Sequence, residues 1–307
     1  MKMKKDVLGL RNVKKEEIEQ ILATAAEMKQ KLQNDEKKLP YLAGKSVVTL
    51  FYENSTRTRM SFELASKYMS ASAANISAGA SSVQKGETLI DTGCTLDQMG
   101  TDVIIIRHPM SGAARLLAGH TRASVINAGD GMNEHPTQAL LDMLTMKQVF
   151  GSLEGLTVAI VGDVQHSRVA RSNYWGLTTM GAKVKMAAPE TLIPADMRAL
   201  GVDITSDLSY ALKDADVVMG LRMQKERQQA GLVPSYREYS RFFGVNEQTM
   251  QLAKPHAIVL HPGPLNRGVE MTTAVADGPQ SYIREQVTNG VAVRMALLYL
   301  LTREEQR

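Results

Sequence analysis

The residues that could do chemistry are densest in one short stretch, Ser55-Thr56-Arg57-Thr58-Arg59. An apolar run precedes this stretch and a helix-like segment follows it, so the order is strand, polar turn, helix. The first backbone N–H groups of a helix lack partners and point the same way as the positive end of its dipole. Hydroxyl groups and a guanidinium placed there converge on a phosphate. The stretch therefore predicts a site for a phosphorylated ligand.

Further polar clusters follow other predicted strands of the first half of the chain, at the strand ends where open α/β sheets bind their ligands. Arg107 could bind a phosphate through bidentate hydrogen bonds or form a surface ion pair, and both alternatives remain open. His135 and Gln138 lie three residues apart at a helix start and so share a face. A capping role is the alternative for His135.

The second half of the chain carries comparable clusters. Arg168 stands at a predicted loop-to-helix turn, and alternation in an extended segment directs Arg222 and Gln224 to the same side. The alternative for that segment is a solvated charged loop. In His261-Pro262-Gly263-Pro264 two prolines around a glycine fix a tight turn that could present backbone carbonyls. Arginines at strand ends in both halves together predict a cleft for two anionic reactants.

Alternating apolar strands and amphipathic helices position these side chains. The predicted strands are 47–51, 103–106, 125–127, 156–161, 183–187, 217–220 and 257–260. The first predicted helix begins after Asn12, a plausible N-cap. The other predicted helices are 57–70, 87–99, 109–118, 136–150, 168–180, 194–200, 207–213 and 283–301.

This alternation predicts an α/β fold of two tandem α/β domains, each a mostly parallel sheet with helices on both faces. We expect domains at 1–136 and 137–284. The C-terminal helix, about 285–307, has no strand after it and is expected to cross back to the first domain.

Composition excludes several classes of protein. The 307 residues are 44% hydrophobic and 22% charged, and no apolar run reaches the ~18 residues of a membrane span. The basic start lacks the apolar core of a signal peptide, which predicts a cytoplasmic protein. The net charge of +4 comes without a basic run, so nucleic acid is not indicated. The single cysteine, Cys94, is interpreted as a small core residue.

Familiar cofactor motifs are absent from the sequence. Gly44-Lys45-Ser46 resembles the end of a P-loop, but it precedes a strand instead of following one. Gly162 follows a strand, yet no G-x-G-x-x-G continues from it, so a nucleotide-dependent dehydrogenase has only fold-level support. The histidines and carboxylates show no metal-ligand spacing. We expect neither a metal nor a cofactor.

Taken together, four motifs resemble the transcarbamoylases: Phe51 to Arg59, Lys85-Gly86-Glu87-Thr88, Asn127 to Gln138, and His261 to Pro264. The matching motifs extend from about residue 47 to 270. The segment Arg222-x-Gln224-x-Glu226-Arg227 resembles the family's aspartate-binding loop, and the motifs typical of its ornithine enzymes have no match. The resemblance implies transfer of the carbamoyl group of carbamoyl phosphate to L-aspartate, in pyrimidine synthesis.

The resemblance also implies roles, by position. The catalytic set would be Arg57, Thr58, Lys85, Arg107 and His135. Carbamoyl phosphate would be bound by Ser55, Thr56, Arg57, Thr58, Arg107, His135, Gln138, Gly263 and Pro264, and aspartate by Lys85, Arg168, Arg222 and Gln224. Glu134 stands where the family more often has Gln, and its charge could favour a protonated His135.

In the family, the serine and lysine that match Ser81 and Lys85 reach into a neighbouring subunit's site, which implies at least a trimer. A regulatory chain or a dihydroorotase is a further partner that the sequence does not decide. Three alternatives stay open: another acceptor such as ornithine, a non-catalytic carbamoyl-phosphate-binding homologue, and the dehydrogenase. An assay of ureido product with aspartate and then ornithine separates the first two from the expected reaction.

Overall fold

Two parallel β-sheets organise the chain, one in each of two units. The computed structural model describes residues 4–77, 86–224 and 231–303. The first unit comprises Met1–Leu144 and Thr288–Arg307, and the second comprises Thr145–Val287. Both sheets are flanked by helices, which confirms the predicted fold class. No helix of the described residues is long and apolar enough to cross a membrane.

The sheet of the first unit has the strand order β2-β1-β3-β4, and every pairing is parallel. Its strands are β1 (Ser46–Phe51), β2 (Ser72–Ser77), β3 (Val103–His108) and β4 (Ser124–Asp130). The helices that begin in this unit are α1 (Lys15–Gln33), α2 (Thr56–Tyr68), α3 (Leu89–Gln98), α4 (Ala113–Ala118) and α5 (Pro136–Phe150). A short 3-10 helix spans Pro40–Leu42.

The apolar runs that predicted β1, β3 and β4 are buried. Ile104, Ile105 and Ile106 of β3 are at most 1% exposed, because β3 has a neighbour on each side. The prediction missed β2, whose residues 72–75 are exposed at the sheet edge. An edge strand with one neighbour needs no apolar run, so its sequence of small and polar residues gives little signal.

The sheet of the second unit has the order β7-β6-β5-β8-β9, again entirely parallel. Its strands are β5 (Thr157–Val161), β6 (Lys183–Ala187), β7 (Asp203–Thr205), β8 (Val217–Gly220) and β9 (Ile258–Leu260). The helices are α6 (Arg168–Thr179), α7 (Ala195–Ala199), α8 (Leu208–Leu212), α9 (Tyr236–Phe243), α10 (Glu247–Met250), α11 (Thr273–Ala276) and α12 (Ile283–Thr302). A 3-10 helix spans Glu190–Leu192. The sequence prediction missed β7, which lies at one edge of this sheet, and it missed the helices α9 to α11.

The last helix, α12, returns to the first unit, as predicted. The part from Thr288 onward belongs to that unit. The ring of Tyr299 lies 5.2 Å from that of Tyr41, and the Arg294 guanidinium lies 5.0 Å from the centre of the Phe62 ring. An apolar helix without a strand of its own buries its face by covering the first sheet unit.

Two predicted helix starts were wrong. The first helix begins at Lys15, not after Asn12, because the Glu17 carboxylate accepts the Lys14 backbone N–H at 3.0 Å and fixes the first turn there. The helix predicted from residue 109 begins at Ala113. The Gly112 backbone N–H donates to Asp130 at 2.7 Å, which holds residues 109–112 as a loop.

Cys94 was also wrongly interpreted as a core residue. It lies on α3 with its thiol exposed, while its neighbours Thr92 and Gly93 are buried. Positions 92, 93, 96 and 97 of α3 are buried, so helix periodicity directs position 94 outward, and the small size of the side chain misled the interpretation.

Candidate functional site

The predicted phosphate site lies where β1 ends and α2 begins. Ser55 occupies the N-cap position with an extended backbone and no side-chain hydrogen bond to the helix start. Thr56 and Arg57 are exposed, whereas Thr58 is 7% exposed. Because the first N–H groups of a helix have no intrahelical partner, this turn has donors and hydroxyls available to an anion.

Arg107 lies beside this turn. It is the β3 partner of Phe51, and its carbonyl accepts the Tyr52 backbone N–H at 2.8 Å. Its Nη1 donates to the Ala128 carbonyl at 3.4 Å, and its Nε lies 3.3 Å from a carboxylate oxygen of Glu53. The Arg107 and Glu53 side chains are 15% and 19% exposed, so the pair is largely buried at the strand ends and not on the open surface. A charged and partly desolvated guanidinium at this place can bind a phosphate oxygen or a carbonyl oxygen.

The loop after β4 is held by its own polar side chains. Asn127 is fully buried and donates to the Leu8 carbonyl and to Asp130, while its oxygen accepts the Gly129 N–H. Asp130 in turn accepts the Glu134 backbone N–H at 3.1 Å. From the sequence, Asn127 and Asp130 had no role beyond their place in the Asn127 to Gln138 motif, and their hydrogen bonds fix the shape of the loop.

Glu134 fastens the N-terminal segment against this loop. Its carboxylate accepts the Leu10 backbone N–H at 2.7 Å and lies 3.4 Å from that of Arg11. Val7 pairs with the edge of β4: its backbone N–H donates to the Val125 carbonyl and its carbonyl accepts the Asn127 backbone N–H, each at 2.9 Å. The Glu134 carboxylate is therefore engaged with backbone groups of the N-terminal segment. Its expected influence on the charge of His135 stays a prediction.

His135 and Gln138 stand at the start of α5. The His135 carbonyl accepts the backbone N–H groups of Gln138 and Ala139, so this residue takes the N-cap position. Its Nδ1 lies 3.5 Å from the Thr137 hydroxyl, and its side chain is 5% exposed. The Gln138 amide nitrogen donates to Asp142 one turn later at 2.9 Å.

In the second unit, the end of β5 leads to the start of α6. Ser167 caps this helix, since its hydroxyl accepts the Ala170 N–H at 3.1 Å. Arg168, the first helical residue, is 5% exposed. Arg171, one turn later, is engaged elsewhere, with its guanidinium 2.7 Å from Asp196.

The segment after β8 keeps the predicted alternation. Leu221 and Met223 are buried at 1% and 0% exposure, whereas Arg222 and Gln224 are partly exposed on the other side. Two buried carboxylates fasten the backbone here: Glu270 accepts the Met223 N–H at 3.2 Å, and Asp163 lies 3.4 Å from the Gln224 nitrogen.

These carboxylates are themselves held in place. Asp163 is fully buried and lies 2.9 Å from the His166 Nδ1. Glu270 accepts from the Asn266 amide at 2.8 Å, and burial raises the pKa of its carboxyl. The sequence analysis did not assign roles to Asp163 or Glu270. The alternation of the 221–224 segment was the only signal, and it says nothing of what holds the backbone.

The turn after β9 is tight, as the two prolines predicted. The His261 Nδ1 accepts the Gly263 N–H at 2.9 Å, and the His261 N–H donates to Gln286. Gly263 has a φ of 64°, a backbone conformation that a residue without Cβ adopts without strain. The turn follows the strand adjacent to β8, so it shares a sheet edge with the 221–224 segment.

The described residues thus bring the candidate side chains together at two sheet edges. In the first unit, Ser55 to Thr58 follow β1, Arg107 lies near the end of β3 and His135 follows β4, and these strands are neighbours in the order β1-β3-β4. In the second unit, Arg168, Arg222 and Gly263 follow β5, β8 and β9, which are also neighbours. The candidate residues Ser81, Lys85, Glu226 and Arg227 lie outside the described residues.

Comparisons with known proteins agree with this geometry. The carbamoyl-phosphate-binding domain model of the aspartate/ornithine carbamoyltransferases matches residues 5–148, and their Asp/Orn-binding domain model matches residues 154–301. The chain is 68% identical to the aspartate carbamoyltransferase catalytic subunit of Ruminiclostridium cellulolyticum, over 97% of this chain and 96% of that one.

Solved structures of both acceptor types are similar to it. An aspartate transcarbamoylase from Trypanosoma cruzi, in complex with carbamoyl aspartate and phosphate, has a TM-score of 0.86 at 33% identity, covering 96% of this chain and 95% of that one. The ornithine carbamoyltransferase from Pyrococcus furiosus has a TM-score of 0.88 at 32% identity, covering 96% of each chain. Because both domain models match in order and together span most of its length, the chain belongs to the aspartate/ornithine carbamoyltransferase family.

Proposed function

We propose that this chain transfers the carbamoyl group of carbamoyl phosphate to the amino group of L-aspartate, giving N-carbamoyl-L-aspartate and phosphate, in de novo pyrimidine biosynthesis. One observation carries the choice of acceptor: Arg222 and Gln224 face the same side of a backbone that two buried carboxylates fasten. Aspartate brings two carboxylates that favour arginine, whereas the cationic side chain of ornithine would be repelled. The relative that is 68% identical carries the aspartate name.

The first unit supplies the carbamoyl phosphate site in this proposal. The turn from Ser55 to Thr58 and Arg107 hold the phosphate, while Thr58, Arg107 and His135 point donors at the carbamoyl oxygen. The carbamoyl NH₂ donates to the Gln138 side-chain oxygen and to a backbone carbonyl of Gly263 or Pro264. We assign residues 1–136, with about 285–307, to carbamoyl phosphate and 137–284 to aspartate.

The donors act mainly on the transition state. Negative charge grows on the carbamoyl oxygen as the aspartate amine attacks, and one well-placed donor is typically worth about 3 kcal/mol. Arg168, Arg222 and Gln224 orient the aspartate carboxylates, and orientation of two bound anions supplies much of the remaining acceleration. The departing phosphate accepts the proton of the amine. A titrating protein base identified by mutagenesis would contradict that last step.

The decisive experiment is a colorimetric assay of ureido product with aspartate and then with ornithine as the acceptor. We expect product with aspartate only, and activity with ornithine alone would refute the acceptor. Arg222→Met is expected to raise the KM for aspartate while leaving carbamoyl phosphate affinity unchanged. Arg241→Met removes an exposed guanidinium of the same unit and is the matched control. Absence of any ureido product with retained carbamoyl phosphate binding would favour a non-catalytic homologue.

The proposal includes a homotrimer in which Ser81 and Lys85 complete a neighbour's site. Arg57→Ala and Lys85→Ala proteins, each inactive alone, are mixed, dissociated and reassembled. A head-to-tail ring formed at random then contains intact sites at about a quarter of its interfaces. Activity that does not return would refute the shared site. A cytoplasmic location, a regulatory chain and a dihydroorotase partner stay predictions.

A further inference from the structure

The carboxamide of Gln138 has its direction set by a neighbour. Gln138 lies on the first turn of α5, and Asp142 lies one turn later with no exposed surface. The Gln138 Nε2 donates to the Asp142 Oδ1 at 2.9 Å. An ionised carboxylate can only accept hydrogen bonds, so the NH₂ end of the carboxamide has to face it. The side-chain oxygen of Gln138 is then turned the other way, as an acceptor.

The charge of Asp142 has a buried counterpart in the same unit. Arg294 of α12 is 4% exposed, and its guanidinium lies 5.0 Å from the centre of the Phe62 ring. Burial lowers the pKa of Arg294 to about 10, and the charge of Asp142 acts in the opposite direction. The surroundings of Arg294 are tightly packed, since a Cβ added at Gly290 would lie 2.6 Å from its Nη1. The charges of Asp142 and Arg294 therefore act on each other.

We propose that Asp142 is a positioning residue that fixes the Gln138 carboxamide so that the site distinguishes an amino group from a methyl group beside the transferred carbonyl. This inference rests on the proposed function, in which the Gln138 oxygen accepts from the carbamoyl NH₂. If the carboxamide were free to turn over, its NH₂ end would face the ligand NH₂ for part of the time. Two donors would then face each other, and the preference for carbamoyl phosphate would fall.

A purely structural role for the pair makes a different prediction. Two buried groups of opposite charge on α5 and α12 can stabilise the packing of these helices without any effect on ligand choice, and their loss would lower stability alone. The two roles are separated by a readout that compares ligands on the same variant. Acetyl phosphate has a methyl group where carbamoyl phosphate has its NH₂, and inorganic phosphate has neither.

The test measures the binding of carbamoyl phosphate, acetyl phosphate and inorganic phosphate to the full-length protein by titration calorimetry, without aspartate. The variant is Asp142→Leu with Arg294→Met, which removes the acceptor and both charges at similar volume, so that no unpaired charge stays buried. We expect the affinity ratio of carbamoyl to acetyl phosphate to fall about fivefold, the effect of one hydrogen bond, with inorganic phosphate affinity unchanged. An unchanged ratio would overturn the inference.

Two further variants keep the test decisive. Asp142→Asn with Arg294→Met retains a polar side chain that can meet Gln138 in either orientation, so the ratio should fall in the same direction by a smaller factor. Asp97→Asn, the control, alters another buried carboxylate of the first unit, which accepts the Arg122 and Ala123 N–H groups. It should leave the ratio unchanged, and a ratio that fell equally there would overturn the specific role of Asp142.

The wild-type protein separates this inference from the proposed function. Wild-type protein that fails to bind carbamoyl phosphate, or that binds acetyl phosphate equally well, would refute the Gln138 contact in the proposed function and the inference with it. Wild-type protein that is active and selective, together with variants that are equally selective, would refute only the role of Asp142.

Discussion

Removal of the Glu134 carboxylate should release the N-terminal segment from the loop that precedes His135. Leu10 is 1% exposed, and its N–H donates to Glu134 at 2.7 Å. The bond from Arg11 is longer, at 3.4 Å, and contributes less. A hydrogen bond to a charged acceptor contributes about 1.5–3 kcal/mol. Glu134→Ala should therefore raise the open population of this segment roughly 10- to 150-fold, whereas Glu134→Gln keeps an oxygen acceptor and should raise it only about fivefold.

Hydrogen exchange followed by mass spectrometry on peptides that cover residues 5–13 measures this opening. We expect deuterium uptake to be fastest in Glu134→Ala, intermediate in Glu134→Gln and slowest in the wild type. Glu19→Gln, on the exposed face of α1, is the control and should exchange like the wild type. Unchanged protection in Glu134→Ala would show that the pairing of Val7 with β4 alone holds the segment, and that the carboxylate contributes nothing.

Three other predictions concern single positions. Gly131→Ala should lower the unfolding temperature and carbamoyl phosphate affinity, because φ is +50° and the new Cβ would lie 2.6 Å from the Ser111 backbone nitrogen. Gly100→Ala is the control for backbone strain alone, because φ there is +81° and the new Cβ would have no atom within 4 Å. Burial raises the pKa of Asp216, but hydrogen bonds from Lys254, the Thr157 backbone and His256 outweigh it, so the net pKa is lowered. Asp216→Asn should therefore cost about 2 kcal/mol in urea unfolding at pH 7, a difference that shrinks as the pH falls below about 4; a constant difference would contradict this. Cys94 should react with a thiol reagent in the native protein, one equivalent per chain, and protection until denaturation would contradict its exposure.

Sequence patterns predicted the central strands because burial on both faces demands apolar residues. Val103 to Ile106 and Thr157 to Val161 are of this kind. The edge strands β4 and β9 are buried and were predicted too. The edge strands β2 and β7 escaped because they are partly exposed, so their side chains need not be apolar. Helix starts were misplaced where a distant or polar contact decides them, as Asp130 does for the loop that ends at Gly112.

The candidate site divides in the same way. Groups expected to touch a ligand cluster in sequence, because a strand end and the following helix start supply them together, as Ser55 to Thr58 do. The carboxylates that orient such groups are scattered. Glu270 fastens Met223 from 47 residues away along the chain, and the charge of Asp142 acts on Arg294, which belongs to another helix. No local motif encodes a partner that only the fold brings near.

The candidate groups of the two units nevertheless use one physical device. Asp130, Glu134 and Asp142 in the first unit and Glu270 in the second are buried carboxylates that accept hydrogen bonds from backbone N–H groups or an amide NH₂. Asp163 in the second unit lies beside the Gln224 backbone N–H and the His166 ring. An ionised carboxylate has no donor, so each contact has one possible polarity, whereas an amide or hydroxyl in its place could be satisfied in two. Each burial costs desolvation energy. The hydrogen bonds that each carboxylate accepts offset that cost. They leave the bonded backbone or side chain with a single orientation, which is what a site that discriminates between anions of similar shape requires.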